Sequence, residues 1–424
     1  MKIQIKGGRV VDPGSAVDKV QDVFVAAGKV LALGTAPSGF HANCVIDATG
    51  MVVCPGLVDL SARLREPGYE YKATLESEMA AAVAGGVTSL VCPPDTDPPL
   101  DEPGLVEMLK HRARSLNQAH VYPLGALTLG LKGERLTEMA ELMDAGCIAF
   151  SQADGPLSDN QVLLRAMQYA SNFGYPVWLR PRDAALARDG VAHDGQVATR
   201  LGLAPIPAVA ETVALSTILL LVRETGARVH LCRLSTADGV DMVRQAKSLG
   251  INVTCDVSAN QLHLSEMDIG YFDSNCHLVP PLRSIRDREA LRRGAQDGTV
   301  DAICSDHTPV DEDAKQLPFG ESEPGATGLE LLLALTLKWG EEAKISLAAA
   351  LAKVTSEPAR ILGIRAGAIA SGESADLCVF DPHARWKVEP ATLKSQGKNT
   401  PFAGYEMSAK VRFTLVEGHV VYEG

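Results

Sequence analysis

Arginines and aspartates occur where the apolar runs of this chain end, and these two residue types decide what chemistry is possible there. The arginines are Arg63, Arg65, Arg180, Arg182 and Arg233, and the acidic residues are Asp95, Asp154, Asp183, Asp256 and Asp306. A guanidinium group stays protonated and has no lone pair to give to a metal ion. It forms charge-assisted, often bidentate hydrogen bonds with carboxylates instead. The pattern therefore favours a self-neutralising set of ion pairs over a metal centre.

The middle of the chain alternates short apolar runs with amphipathic segments, and this alternation predicts the scaffold that positions the charged residues. Eight runs are typical of buried strands: 57–60, 88–92, 121–124, 147–150, 176–179, 229–232, 252–255 and 302–304. Helices are predicted at 73–84, 101–115, 134–145, 158–173, 207–225, 237–249, 284–297, 327–338 and 346–354. This order indicates an α/β fold, a (β/α)8 TIM-type barrel with its site at the carboxyl ends of the strands. The rival fold is an open doubly wound sheet, but no Gly-x-Gly-x-x-Gly turn follows a strand.

The two ends of the chain have a different pattern from the middle. Residues 1–54 contain short strand-like runs separated by glycines, and residues 366–424 return to the same texture. Such runs with turn residues between them predict antiparallel strands. We therefore expect a small composite β-sandwich domain built from residues 1–54 and 366–424, and a barrel domain over residues 55–365.

The composition limits the classes of partner and compartment. The chain has 424 residues, of which 46% are hydrophobic and 22% charged, and this balance predicts a large folded core. A net charge of −12 argues against binding to nucleic acids or anionic membranes. The nine cysteines form no Cys-x-x-Cys pair, and the first residues lack the apolar core of a signal peptide. These features predict a cytoplasmic protein with reduced thiols.

Several segments resemble the dihydroorotase family of the amidohydrolase superfamily over nearly the whole chain. The first is the motif Pro-Gly-x-x-Asp-x-His-x-His-x-Arg-Glu-Pro-Gly, which residues 55–68 match except at the two histidines. Further similar segments are 92–99, 146–155, 302–309 and 367–381. The resemblance implies a (β/α)8 barrel with a β-sandwich made from both termini, in agreement with the pattern above.

Active members of this family resemble one another in a zinc centre of four histidines, a final aspartate and a bridging carboxylate from strand four. At the four histidine positions this chain has Ser61, Arg63, Arg180 and Arg233. The final aspartate survives as Asp306, which we take as vestigial. The bridging position aligns with either Gln152 or Asp154. We therefore expect no zinc, no other cofactor and no catalytic residue.

The positions that the resemblance assigns to substrate binding have changed as well. Arg65, which would hold the carboxylate of dihydroorotate, is retained. The other three positions, two asparagines and a histidine in the family, are Asp95, Val279 and Val310. His230 shares a strand face with Cys232, and we expect it to be a packed residue.

The resemblance implies a specific non-catalytic role. The most similar group within the family is the dihydroorotase-like chains that assemble with aspartate carbamoyltransferase. We expect this chain to be a pseudoenzyme that acts as a structural or regulatory partner of that enzyme in de novo pyrimidine biosynthesis, as a homo-oligomer or a hetero-oligomer.

Two alternatives remain open from the sequence. One is an active cyclic amidohydrolase of the dihydroorotase type, with an atypical or single-metal site around Asp306, His307 and Asp154. The other is a sensor that binds an anionic metabolite through the four arginines of the old pocket, namely Arg63, Arg65, Arg180 and Arg233. Charge adds one structural expectation. At least one of Arg63, Arg180 and Arg233 should pair with Asp306 or Asp154, because buried carboxylates need compensating cations once zinc is gone.

Overall fold

The computed structural model describes residues 1–157 and 159–424, and its first part consists of short strands. They are β1 (Lys2–Lys6), β2 (Arg9–Asp12), β3 (Val17–Val20), β4 (Val23–Ala26), β5 (Lys29–Leu33), β6 (Cys44–Asp47) and β7 (Val52–Pro55). The sequence pattern did not predict β3 and β7. Strand β4, which contains two valines and a phenylalanine, is mostly buried, and residues of these types favour strands.

A ring of parallel strands follows. Its members are β8 (Leu57–Asp59), β9 (Val87–Cys92), β10 (His120–Pro123), β11 (Gly125–Ala126), β12 (Phe150–Ser151), β13 (Val177–Leu179), β16 (Val229–Leu231), β17 (Val253–Ser258) and β18 (Ala302–Cys304). The strands β14 (Ala192–His193) and β15 (Pro205–Ile206) form a small separate pair. Strands β8 to β10 pair in parallel, as do β11 to β18 without β14 and β15. A parallel bridge between Ala62 and His307 joins β8 to β18 and closes the ring. The α/β barrel expected from the sequence is therefore present.

Helices separate the barrel strands. They are α1 (Leu75–Ala84), α2 (Pro103–Ser115), α3 (Met139–Ala145), α4 (Asn160–Phe173), α5 (Ala184–Ala187), α6 (Gln196–Leu201), α7 (Val209–Thr225), α8 (Ala237–Ser248), α9 (Ala259–His263), α10 (Ile285–Asp297), α11 (Glu312–Gln316), α12 (Leu332–Glu342), α13 (Leu347–Ala352) and α14 (Ser356–Leu362). The predicted start of one helix at residue 158 lies outside the described residues. Among the described residues, no helix is both long and apolar enough to cross a bilayer.

Some predicted boundaries are wrong, and the backbone hydrogen bonds give the reason. The helix predicted at 134–145 begins only at Met139, because Leu136 pairs with Thr128 in an antiparallel bridge. The helix predicted at 327–338 begins at Leu332, because the backbone N–H groups of Gly328 and Leu329 donate to the His307 ring. A terminal or capping hydrogen bond of this kind leaves no periodic signal in the sequence.

The last strands are β19 (Leu377–Lys387), β20 (Glu406–Val416) and β21 (His419–Glu423). They join the start of the chain in a six-stranded sheet of order β21-β20-β19-β7-β2-β3, beside a four-stranded sheet of order β5-β4-β1-β6. A separate hydrophobic cluster, which includes Ile3, Val25, Val53 and Leu377, fills the space between strands of these sheets. The expectation of purely antiparallel pairing is wrong, because β1–β6 and β2–β7 are parallel. The domain boundaries at residues 54 and 366 stay a prediction.

The barrel interior is apolar in its lower part and charged at its mouth. Leu60, Val91, Leu124, Trp178 and Cys304 pack together inside the ring of strands. The charged side chains come from the segments that follow the strands. An apolar plug beneath a polar mouth is the usual arrangement of a barrel of this type.

Candidate functional site

Residues 61–65 run along the barrel mouth because their backbone continues the parallel ladder. The Ala62 N–H donates to Val91 O at 3.0 Å, and the Arg63 N–H donates to His307 O at 2.9 Å. Strands β8, β9 and β18 therefore hold this segment from both sides. Arg63 itself has a side chain only 7% exposed, so the guanidinium lies inside the mouth and not in bulk water.

Arg63 donates to two carboxylates and one hydroxyl. Its Nε lies 2.8 Å from Asp95 Oδ2, and its Nη2 lies 2.8 Å from Asp154 Oδ2. Its Nη1 donates to Thr308 Oγ1 at 3.0 Å and lies 3.8 Å from Asp306 Oδ1. Burial would lower the pKa of this guanidinium, but Asp95 and Asp154 together raise it. Arg63 is thus a permanent cation with its donors directed at anions.

Asp154 is the centre of the cluster. One of its oxygens accepts from Arg63, and the other accepts from Arg180 Nε and from Arg233 Nη2, the latter at 2.8 Å. Burial by itself would raise the pKa of Asp154, but the three guanidinium groups hold that pKa well below its usual range. The carboxylate therefore stays ionised and fully engaged.

Asp306 has a different electrostatic environment. Its Oδ1 accepts from Arg233 Nη1 at 2.9 Å, and its side chain is 8% exposed. Burial raises the pKa of Asp306, and Arg233 and Arg63 offset that effect only in part. The prediction that an arginine would pair with Asp154 or Asp306 is confirmed for all three arginines named, since Arg180 also contacts Asp154.

The structure separates Gln152 from Asp154, two residues that the sequence could not rank. The Gln152 amide accepts from Thr128 Oγ1 at 2.9 Å and donates to Leu131 O at 2.8 Å. Gln152 therefore packs into the loop that follows β11. Of these two residues, only Asp154 contacts the arginines at the mouth.

The positions that the resemblance assigns to substrate binding lie at or next to the same mouth. Arg65 Nε donates to Pro309 O at 2.9 Å, and its Nη2 lies 3.5 Å from Glu323 Oε1. The Val279 carbonyl accepts from Arg233 Nη1 at 3.1 Å. Val310 is buried, and its N–H donates to Asn399 Oδ1. Arg65, Val279 and Asp95 also line a cavity that opens at the barrel mouth.

Ser61 is buried at 7% exposure, and its carbonyl accepts from the backbone of His307 at 3.0 Å. This residue therefore has a place in the ladder between β8 and β18. A hydroxyl at this position is shorter than an imidazole and cannot serve as a strong zinc ligand.

His307 does not take part in the mouth. Its Nε2 lies 2.6 Å from Glu78 Oε2, and its Nδ1 accepts from the Gly328 N–H at 3.1 Å. With both nitrogens occupied and the side chain only 1% exposed, the ring has no free lone pair. The structure does not bring His307 together with Asp154 and Asp306 in a metal site.

One group of side chains in the described structure has metal-ligand geometry, and it consists of His230, Cys232 and Asp256. His230 Nε2 lies 2.9 Å from Asp256 Oδ2, and its Nδ1 lies 2.8 Å from Thr254 Oγ1. The Arg233 N–H donates to the second oxygen of Asp256. The His230 and Asp256 side chains hydrogen-bond each other directly, so the expectation of a packed His230 agrees with the structure.

A cavity of about 280 Å³ opens above the ion pairs. Its lining includes Arg63, Arg65, Arg180, Arg182, Arg283, Asp95, Asp154, Asp306, Glu211 and Glu323. Hydrophobic parts of the wall come from Ile206, Leu278 and the prolines at 280 and 281. A pocket of this size accommodates a small metabolite.

The donors at the mouth do not fit the zinc centre that the family resemblance implies. Zinc needs imidazole, carboxylate or thiolate lone pairs from about three residues. Arg63, Arg180 and Arg233 supply none, and their charges repel a divalent cation. They also occupy both oxygens of Asp154 and one oxygen of Asp306. The same residues are well suited to binding anions and to holding strand ends together.

Sequence reasoning missed four residues, of which three complete the mouth and the fourth binds the buried ring of His307. Thr308 accepts from Arg63, and Glu323 accepts from Lys72 at 2.6 Å as well as from Arg65. Glu78 holds His307 from helix α1. Thr308 follows Asp306 and could have been found from the strand end, but Lys72 and Glu323 lie in loops 251 residues apart.

Comparisons of the sequence and of the structure with known proteins give matches that cover nearly the whole chain. Residues 50–239 match the family described as Dihydro-orotase-like, and residues 192–421 match the Amidohydrolase family. A Dihydroorotase-like protein of Pseudomonas aeruginosa is 46% identical over 424 residues, which cover 100% of both chains. A protein named Dihydroorotase from Citrifermentans bemidjiense is 39% identical, also over 100% of both chains. The L-hydantoinase (dihydropyrimidinase) structure from Arthrobacter aurescens superposes with a TM-score of 0.89 at 25% identity, covering 99% of this chain and 96% of that one.

Proposed function

The chain belongs to the dihydroorotase-like family of the amidohydrolase superfamily, and we propose that it is a non-catalytic member of that family. The observation that carries the proposal is the occupation of the barrel mouth by Arg63, Arg180 and Arg233. These three cations stand where the resemblance places zinc-ligating histidines, and they bind Asp154 directly. A mouth that neutralises its own carboxylates in this way has no place for a hydrolytic metal.

Metal-independent hydrolysis has little support from the same residues. Thr308 is a hydroxyl beside the cluster, but its oxygen accepts from Arg63 and its proton is directed at Asp306 O at 3.1 Å. A nucleophilic hydroxyl needs an adjacent general base. Asp154 is held ionised by three arginines, and this lowers its basicity.

For the biological role, we propose that the chain is a structural or regulatory partner of aspartate carbamoyltransferase in de novo pyrimidine biosynthesis, acting in the cytoplasm. Two features support this role. The full-length barrel is retained although its zinc-ligand positions are replaced, and the chain resembles dihydroorotase-like chains that assemble with the transferase. The arginine–aspartate cluster joins the ends of strands β8, β13, β16 and β18, which stiffens the barrel as a platform.

The first experiment measures metal content and hydrolysis. The protein is purified from cells grown with added zinc, and bound metals are quantified by mass spectrometry beside a dihydroorotate hydrolysis assay. We expect far less than one zinc per chain and no turnover. Stoichiometric zinc with turnover would reject the non-catalytic role and favour the active amidohydrolase alternative.

The second experiment tests the partner. The aspartate carbamoyltransferase of the same organism is expressed with this chain, without it, and with an unrelated barrel protein as the control. Light scattering gives the size of the assembly, and the carbamoylation rate gives its activity. We expect a larger assembly and a more stable or more active transferase only with this chain. If size and activity are the same in all three cases, the scaffold role is wrong.

A further inference from the structure

Arg180 uses its guanidinium differently from Arg63 and Arg233. Its Nε donates to Asp154, while its two terminal nitrogens have no hydrogen-bond partner among the described residues. The Arg180 side chain is only 6% exposed and lines the cavity. A guanidinium has five N–H donors, and those without a protein acceptor can donate to water or to a ligand. This edge of Arg180 is therefore available to a ligand.

The cavity has a local surplus of positive charge. Five arginines and five carboxylates line it. Two more cations bind those same carboxylates from behind, Arg233 at Asp154 and Lys72 at Glu323. The chain as a whole has a net charge of −12, so this surplus runs against its overall charge. These two additional cations leave the surroundings of the cavity with more positive than negative charges, which favours anionic ligands.

We propose that the cavity binds a small oxyanion, a carboxylate or a phosphate group, on the terminal nitrogens of Arg180, with Arg182 on the same wall. Both groups present two oxygens to a planar guanidinium, which favours bidentate recognition. Arg182 is half-buried, and its Nη2 donates only to the backbone oxygen of Arg188 at 3.2 Å. A volume of about 280 Å³ limits the ligand to a small metabolite.

Arg63 and Arg233 do not have this freedom, so the proposed site differs from one in which all four arginines bind an anion. Arg63 and Arg233 direct their donors at aspartates. Arg65, the residue that the resemblance assigns to a substrate carboxylate, donates to Pro309 O and lies near Glu323. Burial lowers the pKa of Arg180, and Asp154 offsets that effect only in part, as expected for a cation that lacks a full set of anionic partners.

Isothermal titration calorimetry on the isolated full chain tests the proposal without any transferase, so its outcome is independent of the scaffold role. The probes are inorganic phosphate and succinate, with sodium chloride of equal ionic strength as the reference. We expect saturable binding of at least one probe, and the comparison shows whether phosphate or carboxylate is preferred. Arg180→Gln should weaken that binding about tenfold or more, because it removes a charge-assisted bidentate contact.

Two further variants make the test decisive. Arg223→Gln alters an exposed arginine of helix α7 outside the cavity lining and should bind the probe like the natural chain. Arg182→Gln alters a half-buried residue and should weaken binding even if Arg180→Gln fails to fold. The proposal is wrong if neither probe binds at about 10 mM. It is also wrong if a folded Arg180→Gln or Arg182→Gln chain binds as tightly as the natural one.

Discussion

Arg233 Nη1 lies 2.9 Å from Asp306 Oδ1, so a permanent cation is bound to the aspartate that the resemblance assigns to a zinc centre. Both residues follow strand ends and both have left-handed backbones, with φ values of 55° and 52°. Positive φ is uncommon for residues other than glycine and clusters at functional sites, where the surrounding structure holds it in place. The ion pair between the two side chains helps to keep both backbones in this conformation. The ends of β16 and β18 are thus joined by a buried ion pair.

Removing this cation should destabilise the fold. Arg233→Met leaves Asp306 and part of Asp154 without compensation, and breaking one side of a buried pair costs about 3–5 kcal/mol of unfolding free energy. Urea denaturation monitored by circular dichroism measures the change. Arg233→Met combined with Asp306→Asn should recover part of the loss, because one buried charge is removed with its partner.

A surface pair provides the control for that measurement. Arg244 binds Asp241 and Asp297 with side chains that are about half exposed. Arg244→Met should therefore cost less than about 1 kcal/mol. If Arg233→Met costs no more than Arg244→Met, the buried cluster does not stabilise the barrel.

Restoring a single histidine should not restore a metal site. Arg63→His returns the family's residue at this position, but an imidazole cannot contact Asp95, Asp154 and Thr308 at once as Arg63 does. We expect a loss of about 3–5 kcal/mol of unfolding free energy and no stoichiometric zinc in a competition titration with a chromogenic chelator. Arg63→Lys keeps the charge without the planar fork and should lose less. Tight zinc binding by Arg63→His would show that the remaining side chains suffice as ligands.

The pH dependence of stability should contain a contribution from Asp59. Burial raises the pKa of Asp59 to about 6, although hydrogen bonds from Ser305 oppose that effect. An unfolded aspartate titrates near 3.9, so between about pH 4 and 6 the folded state binds the proton more tightly. This contribution to stability is therefore present at low pH and is lost as the pH rises through about 6, by roughly 2–3 kcal/mol.

Asp59→Asn isolates that contribution. The unfolding free energy of the natural chain, minus that of the variant, should fall as the pH rises from about 4 to 7. Subtracting the variant removes groups with the opposite sign, such as Asp154, whose lowered pKa contributes stability that is lost in acid. Parallel pH profiles for the two chains would show that Asp59 does not titrate in this range.

The barrel and its charged mouth were predictable because both depend on local sequence. Apolar runs such as 302–304 coincide with β18, and the residues after them must lie at the carboxyl ends of the strands. The pairing of Arg63, Arg180 and Arg233 with aspartates followed from charge alone. What sequence alone could not give was the choice between Gln152 and Asp154. That choice depends on the loop backbone, where Ala153 has a φ of 50° and the chain turns between them.

Long-range contacts were beyond the sequence for a different reason. Whether the terminal nitrogens of Arg180 have acceptors depends on how the neighbouring side chains are placed in the fold. No spacing in the sequence encodes that placement. Glu78 and His307 are 229 residues apart, and nothing at either position indicates the other. The sequence leaves open a metal site that includes His307, yet helix α1 supplies a buried carboxylate to its ring.

The buried contact between Glu78 and His307 should stabilise the fold. Glu78 is fully buried and accepts from His307 Nε2 and Ser395 Oγ, both at 2.6 Å, and from the Gln396 N–H at 3.0 Å. Burial would raise the pKa of Glu78, but the hydrogen bond from His307 and the other donors lower it, so the carboxylate is ionised. Because His307 Nδ1 accepts from the Gly328 N–H, its Nε2 must be the donor to Glu78.

Glu78→Gln keeps the size of the side chain but removes its charge and one of the two acceptor oxygens that bind His307 and residues 395–396. We expect a loss of about 2–4 kcal/mol of unfolding free energy, since hydrogen bonds to charged groups are worth more than neutral ones. Hydrogen exchange should become faster at residues 395–396, which lose their anchor. Glu76→Gln on the exposed face of the same helix should change stability by less than about 0.5 kcal/mol. If Glu78→Gln instead leaves stability and exchange unchanged but alters bound zinc, His307 belongs to a metal site and the arrangement argued from its two hydrogen-bonded nitrogens is wrong.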